Sequence, residues 1–191
     1  VKGAPVDENG NPVFYKVPAD LAKAQNDGER WRWLLEEAIN VQPSSKDSVL
    51  LKYADFLKNQ FGVETMTSYG GRYSLEDNAD ANIEKDESSP YAVHSLAEDE
   101  TIAKIATGTK RFRLPDEYNY IKIYRQILAD DNEWSSFAID RLAGIFLNRR
   151  QYPKAAELLR ESIKRFGDEE NYKKELFDQI TGNWGQFTGS R

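Results

Sequence analysis

Apolar residues recur at steps of three and four along residues 132–168, the clearest hydrophobic pattern in the chain. The first half of this stretch places large or small apolar residues at Trp134, Phe137, Ala138, Leu142, Ile145 and Phe146, and the second half does so at Ala155, Ala156, Leu159, Ser162, Ile163 and Phe166. Pro153 suits the first turn of a helix, and Gly167 suits the left-handed residue that ends one. The pattern therefore predicts two antiparallel helices joined by a tight turn at 149–153.

The spacing within this hairpin resembles that of the tetratricopeptide (TPR) repeat. Five residues stand where the repeat has large, small, aromatic, small and large side chains: Leu142, Ala143, Phe146, Ala155 and Leu159. Ser162 and Gly167 depart from the repeat, which usually has Ala and Pro at those places. Any antiparallel helical pair gives a related pattern, so a generic helical hairpin stays open as the alternative.

Shorter periodic stretches predict further helices on both sides of the hairpin. They cover about 26–41, 45–60, 98–107, 114–128 and 169–180. The first of these has its apolar face at Trp31, Leu34, Leu35, Ala38 and Ile39. The helix over 114–128 is apolar on a wide arc, which predicts a central helix covered on two sides.

The predicted fold class is therefore all-α: antiparallel helical hairpins in a TPR-like superhelix over residues 19–182, with about six or seven helices. Residues 1–18 lack a helical period and predict a short extended N-terminal segment, the one strand-like element expected. Residues 64–95 interrupt the pattern and predict a mobile acidic insert, because so polar a stretch buries little apolar surface. Residues 183–191 are interpreted as a C-terminal junction tail.

Charge follows the same division. The net charge is −6, and residues 64–100 hold ten acidic residues against Arg72 and Lys85, a balance of −8 that leaves +2 for the remainder. Nucleic acid is not an expected partner, since no basic stripe is present to neutralise phosphates. The short cluster of Lys110, Arg111 and Arg113 is predicted to be solvated or paired with nearby acids.

Candidate chemistry is sparse. There is no cysteine and one histidine, His94, so zinc chemistry and a thiol nucleophile lack their residues, and His94 lies in no G-x-S-x-G context. No glycine-rich phosphate loop is present. An enzyme and a bound cofactor are therefore not expected.

Two stretches mimic parts of calcium loops. Asp7 to Asn11 begins with the oxygen-rich residues of such a loop, and Asp80, Asn82, Glu84 and Asp86 alternate as ligands do. The first lacks the distant Glu and the second lacks the central Gly. A plain turn and an exposed acidic loop are therefore favoured over metal sites.

The candidate protein-binding residues lie at two places. In a TPR hairpin the inner helix presents one residue per turn to a groove, and here that line is Phe137, Asp140, Gly144 and Asn148. Asp140 would repel a carboxylate, which argues against recognition of acidic peptide ends there. Trp184 and Phe187 form the second candidate, since large aromatic side chains after the last helix need something to pack against.

Several strings together resemble the helical segment near the N-terminus of very large bacterial alpha-2-macroglobulin-like proteins. They are NPVFYKVP, NDGERWRWLLEEA, YADFLKNQFGVETM, DETIAKIATGTKRF with LPDEYNYIKIY, RRQYPKAAELLRESIKRFG and QITGNWGQF, and they cover roughly residues 11–187. Members of that family are exported or envelope-anchored and are thought to trap proteases. The resemblance implies that location, but no functional residue of the family maps onto a position here.

Two function classes follow. The first is a non-catalytic helical scaffold or protein-interaction module within such a protease-trapping protein, with neighbouring domains as its partner. The second is a stand-alone TPR adaptor that binds a peptide or protein in its groove. Neither involves nucleic acid, and membrane insertion by this segment is not expected because no apolar run is long enough to span a bilayer.

Overall fold

The computed structural model describes residues 4–63 and 92–182. Within these ranges the chain forms six α-helices and a two-stranded antiparallel sheet. The helices are α1 (Asp27–Val41), α2 (Lys46–Phe61), α3 (Tyr120–Ala129), α4 (Ser135–Asn148), α5 (Tyr152–Phe166) and α6 (Tyr172–Ile180), and the strands are β1 (Glu100–Ile105) and β2 (Gly108–Arg113). The prediction of a mostly helical fold is confirmed, whereas the prediction of an all-α fold is wrong.

Each helix packs against the next one in the chain, and β1 packs against α2. The central helix is α3, between α2 and α4. Its buried side chains are Tyr120, Ile121, Ile123, Tyr124 and Ile127. The predicted wide apolar arc is therefore confirmed, although the helix begins at Tyr120, capped by the Asn119 side chain, and not at 114.

The α4–α5 hairpin is confirmed. The five residues that carry the repeat-like spacing are all buried: Leu142, Ala143, Phe146, Ala155 and Leu159. Pro153 lies in the first turn of α5, and Gly167 follows it with φ +78°. Positive φ favours glycine at a helix end, so α5 begins and ends at the residues that the sequence predicts.

The predicted helix over 98–107 is instead β1, which pairs with β2 from Glu100↔Arg113 to Ile105↔Gly108. Ile102, Ile105 and Ala106 are spaced as on one face of a helix, but Thr101, Ile102 and Ile105 are β-branched and also suit a strand. Tertiary packing decides between the two, since Ile102 packs against Val93 and Leu96 while Ala103 and Ile105 enter the main core. Gly108, at φ +136°, begins the return strand.

The N-terminal segment packs over the sheet and helices. Ala4 forms a parallel bridge with Ile105, and its carbonyl accepts a hydrogen bond from the Ala106 N–H at 2.9 Å. Phe14 inserts its ring among those of Phe61, Phe112 and Tyr118, with 4.7 Å between the Phe14 and Tyr118 centroids. This aromatic cluster joins the extended N-terminus to α2, β2 and the turn before α3.

Two predicted regions fall partly or wholly outside the described residues. Of the predicted insert, 64–91 lies outside, and its last residues form a 3-10 turn at Val93–Ser95 in which Ala92 and Val93 are buried. The tail at 183–191 lies outside as well. The last helix begins at Tyr172, after Asn171 in the left-handed region, and not at 169.

Candidate functional site

The predicted line on α4 is only partly open. Phe137 is 51% exposed and rests on Trp134, with 6.0 Å between ring centroids. Asp140 is not a free carboxylate, because Lys173 of α6 lies 2.9 Å from its Oδ1 and the Ser162 hydroxyl donates a hydrogen bond to the same oxygen at 2.9 Å. Helix α6 therefore neutralises the residue that was expected to repel carboxylates.

Gly144 and Asn148, the other two residues of that line, are half-buried, and open space lies beside the Cα of Gly144. Trp184 and Phe187 lie outside the described residues. The line on α4 therefore presents one large apolar side chain, Phe137, next to a salt bridge.

A cavity lies between the N-terminal segment, α1 and α2. This space, here named the α1–α2 groove, has a volume of about 490 Å³. It is lined by Tyr15, Lys16, Val17, Arg32, Leu35, Glu36, Ile39, Val49, Leu50, Tyr53 and Glu117. Apolar walls with a few polar groups are the usual composition of a ligand-binding site of this size.

The groove exists because α1 does not bury its predicted apolar face. Leu35 and Ile39 are half-buried and line the groove, whereas Leu34 is 51% exposed on another side of the helix. Trp31 holds α1 to α2 through its ring contacts with Tyr53 at 5.6 Å and Phe56 at 4.5 Å. The apolar face predicted for α1 is therefore buried only in part, since Leu34 and Ala38 are exposed and Trp31, Leu35 and Ile39 are half-buried.

Helix α1 lies entirely within the described ranges, and its only buried residue is Arg32, which is 7% exposed. Its guanidinium carbon lies 3.9 Å from the centroid of the Tyr118 ring and 5.3 Å from that of Tyr53, and Nη1 donates a hydrogen bond to the Tyr53 hydroxyl. Arginine over an aromatic face is a favourable cation–π contact. Among the described residues, no carboxylate forms a salt bridge with Arg32.

The two tyrosines beside Arg32 are held as neutral donors. The Tyr53 hydroxyl donates to the backbone carbonyl of Glu117 at 2.9 Å, and the Tyr118 hydroxyl donates to that of Tyr15. Burial raises the pKa of Tyr53, and the Arg32 charge opposes this only in part. Burial likewise raises the pKa of Tyr118. Both phenols therefore keep their protons near neutral pH and act as hydrogen-bond donors.

The rim of the groove carries charge of both signs. Lys16, Glu36 and Glu117 line it and are exposed to solvent. Water screens these charges, whereas the buried guanidinium is screened much less. The electrostatic feature that distinguishes the groove is therefore the cation at its floor.

Other polar clusters in the described residues serve the fold. His94 is exposed, and its backbone carbonyl accepts a hydrogen bond from Gln151 Nε2 at 3.1 Å. Arg111 pairs with Glu100 at 3.0 Å and Arg113 with Asp99 at 2.5 Å, so the expected pairing with acids is confirmed for these two arginines, while Lys110 donates a hydrogen bond to the Asn11 side chain at 2.7 Å.

Two absences hold for residues 4–63 and 92–182, the part of the chain that the structure describes. No group of three or more His, Asp or Glu side chains there is arranged to hold a metal ion. No helix in the same ranges has the length and apolar character needed to cross a bilayer.

Sequence reasoning missed the groove residues Arg32, Tyr53 and Glu117. One signal was present, since Arg32 interrupts the string WRWLL on the side of the helix next to Leu35 and Ile39. The tyrosine that covers it lies far along the chain, at position 118, and periodicity within α1 cannot indicate such a partner.

Similarity to known proteins gives no information on this site. No protein-family model, no curated protein and no solved structure matches this chain.

Proposed function

We propose that this chain is a non-catalytic, TPR-like helical scaffold that binds a segment of a partner protein in the α1–α2 groove. The observation that carries the proposal is the apolar wall of that groove. Leu35, Ile39 and Leu50 face a space of about 490 Å³ that α1 and α2 leave open. Apolar surface transferred from water to a partner contributes about 25 cal/mol per Å².

The polar groups of the groove are few and are suited to orienting a bound segment. The Arg32 guanidinium donates a hydrogen bond to the Tyr53 hydroxyl, and the raised pKa of Tyr53 keeps the proton that this phenol donates to the Glu117 carbonyl. Few, well-placed polar groups within an apolar wall fix the orientation of a ligand. A protein-interaction role follows from this composition.

Membership of an alpha-2-macroglobulin-like, protease-trapping protein of the cell envelope is a second, separate part of the proposal. Its support is the set of sequence strings described above, and in that setting the partner is a neighbouring domain of the same protein. The competing proposal is a stand-alone adaptor. The length of the native reading frame distinguishes the two, because a stop codon soon after residue 191 removes the first.

Binding in the groove is tested by selection from a phage-displayed peptide library on the purified chain. Affinities of the selected peptides are then measured for Ile39→Glu, which places a charge in the apolar wall, and for Leu34→Glu. The second variant is a matched control, because Leu34 lies on the same helix but does not line the groove. We expect Ile39→Glu to weaken binding by about tenfold or more, the loss of one good apolar contact.

The control variant should bind within about twofold of the wild type, since a peripheral residue contributes little. Selected peptides that bind all three proteins equally would place the interaction elsewhere and remove the groove from the proposal. Failure to select any peptide above background would contradict the interaction function itself.

A further inference from the structure

The floor of the α1–α2 groove holds a cation that no acidic side chain of the described residues pairs with. Arg32 is 7% exposed and lines the groove. We propose that the groove receives the C-terminal end of a partner protein, with its last apolar side chains against Leu35, Ile39 and Leu50 and its terminal carboxylate on Arg32. This inference rests on the proposed function and names the part of the partner that is bound.

Electrostatics favours an anion at this place. An arginine has five N–H donors in a planar fork and no acceptor. The structure shows one of these hydrogen bonds, from Nη1 to the Tyr53 hydroxyl, and two aromatic faces next to the guanidinium. A charge withdrawn from water without a counter-ion is destabilised, and a carboxylate matches the fork with paired, charge-assisted hydrogen bonds.

The neighbouring hydroxyls leave recognition to Arg32. Tyr53 already donates its proton to the Glu117 carbonyl, and Tyr118 donates to the Tyr15 carbonyl. Neither is therefore a free donor for a ligand. Their part is to hold the guanidinium in place, which lowers the entropy lost when an anion binds.

The rim limits how many negative charges the ligand carries. Glu36 and Glu117 line the groove and are exposed, against one exposed cation, Lys16. A run of acidic side chains would face both carboxylates and be repelled. A single carboxylate that follows apolar residues avoids this repulsion, and a chain terminus supplies that combination.

Apolar residues before the terminus suit the walls. Leu35 and Ile39 lie one helical turn apart on α1, opposite Val49 and Leu50 of α2. Side chains such as Leu, Ile, Val or Phe would cover these half-exposed residues. The expected ligand is therefore a protein C-terminus that ends in two or three apolar residues.

The test compares two pools of fluorescein-labelled octapeptides with mixed Leu, Ile, Val and Phe at the last three positions. One pool ends in a free carboxylate and the other in an amide, so they differ at a single group. Fluorescence anisotropy of each pool is measured during titration with the whole chain. We expect the acid pool to bind about tenfold or more tightly than the amide pool.

Variants assign the effect to the guanidinium. Arg32→Gln removes the charge, and Arg30→Gln is the matched control, because Arg30 is an exposed arginine on the same helix that pairs with Asp27. We expect Arg32→Gln to abolish the preference for acid over amide and Arg30→Gln to keep it. The acid–amide comparison on the wild-type chain needs no variant, so it holds even if Arg32→Gln does not fold.

Equal binding of both pools that is lost in Ile39→Glu would keep the groove as the binding site and overturn the carboxylate inference alone. Binding of neither pool would also overturn it, while the peptide-library selection still judges the proposed function separately. Saturation by decanoate without binding of either pool would assign the site to a small amphiphilic acid and overturn the protein terminus.

Discussion

The α1–α2 and α4–α5 hairpins have similar lengths but differ in how they use their apolar residues. Both α1 and α4 lie entirely within the described ranges. Helix α4 buries seven residues, among them Leu142 and Phe146, whereas α1 buries only Arg32. Helices α4 and α5 contribute to the core, and α2 does so through Leu51, Leu57 and Phe61, whereas α1 has no buried apolar residue and leaves a groove against α2. Apolar periodicity thus predicts which residues share a face, but the neighbours of a helix decide whether that face is buried.

Cavity-creating substitutions should show the largest difference in stability between α4 and α1. Phe146→Ala should lower the free energy of unfolding by about 3–5 kcal/mol and Leu142→Ala by about 2–5 kcal/mol, because each removes a fully buried side chain from the core. Ile39→Ala should cost less than about 1 kcal/mol, since Ile39 lines the open groove. Urea denaturation of the three variants measures the difference. Equal losses in all three would mean that α1 is as tightly packed as α4.

Arg32 and Arg149, the buried arginines of the described residues, differ in how much they should contribute to stability. Arg149, which follows α4, donates hydrogen bonds to the carbonyl oxygens of Ala97 at 2.9 Å and Glu100 at 2.8 Å and to the Tyr120 hydroxyl at 2.9 Å. Arg149→Met leaves these acceptors unpaired and should destabilise the chain by about 3 kcal/mol or more. Arg32→Met should change stability by less than about 1 kcal/mol, because an apolar side chain of similar volume replaces a charge without an acidic partner.

Thermal unfolding of both variants provides the measurement. A large loss for Arg32→Met would show that its contacts with the tyrosines hold α1 in place. The inference that this arginine is available for a ligand would then lose its energetic basis.

Helix α1 should depend more on its own cap than α5 does. The Asn26 side chain accepts a hydrogen bond from the Glu29 N–H at 2.9 Å, whereas α5 begins without a side-chain cap. Asn26→Ala should destabilise the first turn of α1 by about 1 kcal/mol. Hydrogen exchange of the α1 amides should accelerate in this variant, with Asn40→Ala, an exposed residue on the same helix, as the control. Unchanged exchange would contradict a role for the cap.

Acid should affect the β1–β2 sheet through Glu100, the first residue of β1. A hydrogen bond from the Ala97 N–H lowers the pKa of the Glu100 carboxyl below its ordinary 4.5, burial opposes this shift, and Arg111 adds to it. A pKa that is lower in the folded state contributes stability above the unfolded value, and this contribution is lost as pH falls through the folded value. Stability should therefore decline below about pH 4.5.

Denaturation near neutral pH and near about pH 3 tests this in Glu100→Gln, which should lose less stability on acidification than the wild type. Glu133→Gln, a substitution of an exposed acid, should behave like the wild type. A decline of equal size in all three proteins would assign the acid sensitivity to other groups. The expected effect is the smallest of the four, because one partly exposed pair contributes little.

The α4–α5 hairpin was predictable because several independent signals agreed there. Helical spacing, small residues where backbones approach, Pro153 at the start and Gly167 at the end all indicate one structure. The stretch ETIAKIATGTKRFR carried conflicting signals, since Ile102 and Ile105 fit a helical step as well as a strand. Pairing with residues 108–113 and contact with Val93 resolved the conflict, and neither is local to the stretch.

The groove could not be predicted for a related reason. Leu35 and Ile39 were correctly placed on one face of α1, but their exposure depends on where the N-terminal segment runs. Arg32 is buried by Tyr118, a residue that pattern within α1 says nothing about. Sequence patterns can therefore predict the individual helices and still miss a binding site that forms between elements distant in the sequence.

The position of Val63 has a consequence for protein engineering. Val63 packs against the small apolar cluster of Val93, Leu96 and Ile102, and the Thr101 hydroxyl donates a hydrogen bond to the Phe61 carbonyl. The chain is thus packed against the rest of the fold just before residue 64, at Val63, and just after residue 91, at Val93. Loop-closure entropy rises by only about 0.6 kcal/mol for each doubling of length between fixed ends. We therefore expect a reporter domain or affinity tag inserted between residues 64 and 91 to change the free energy of folding little.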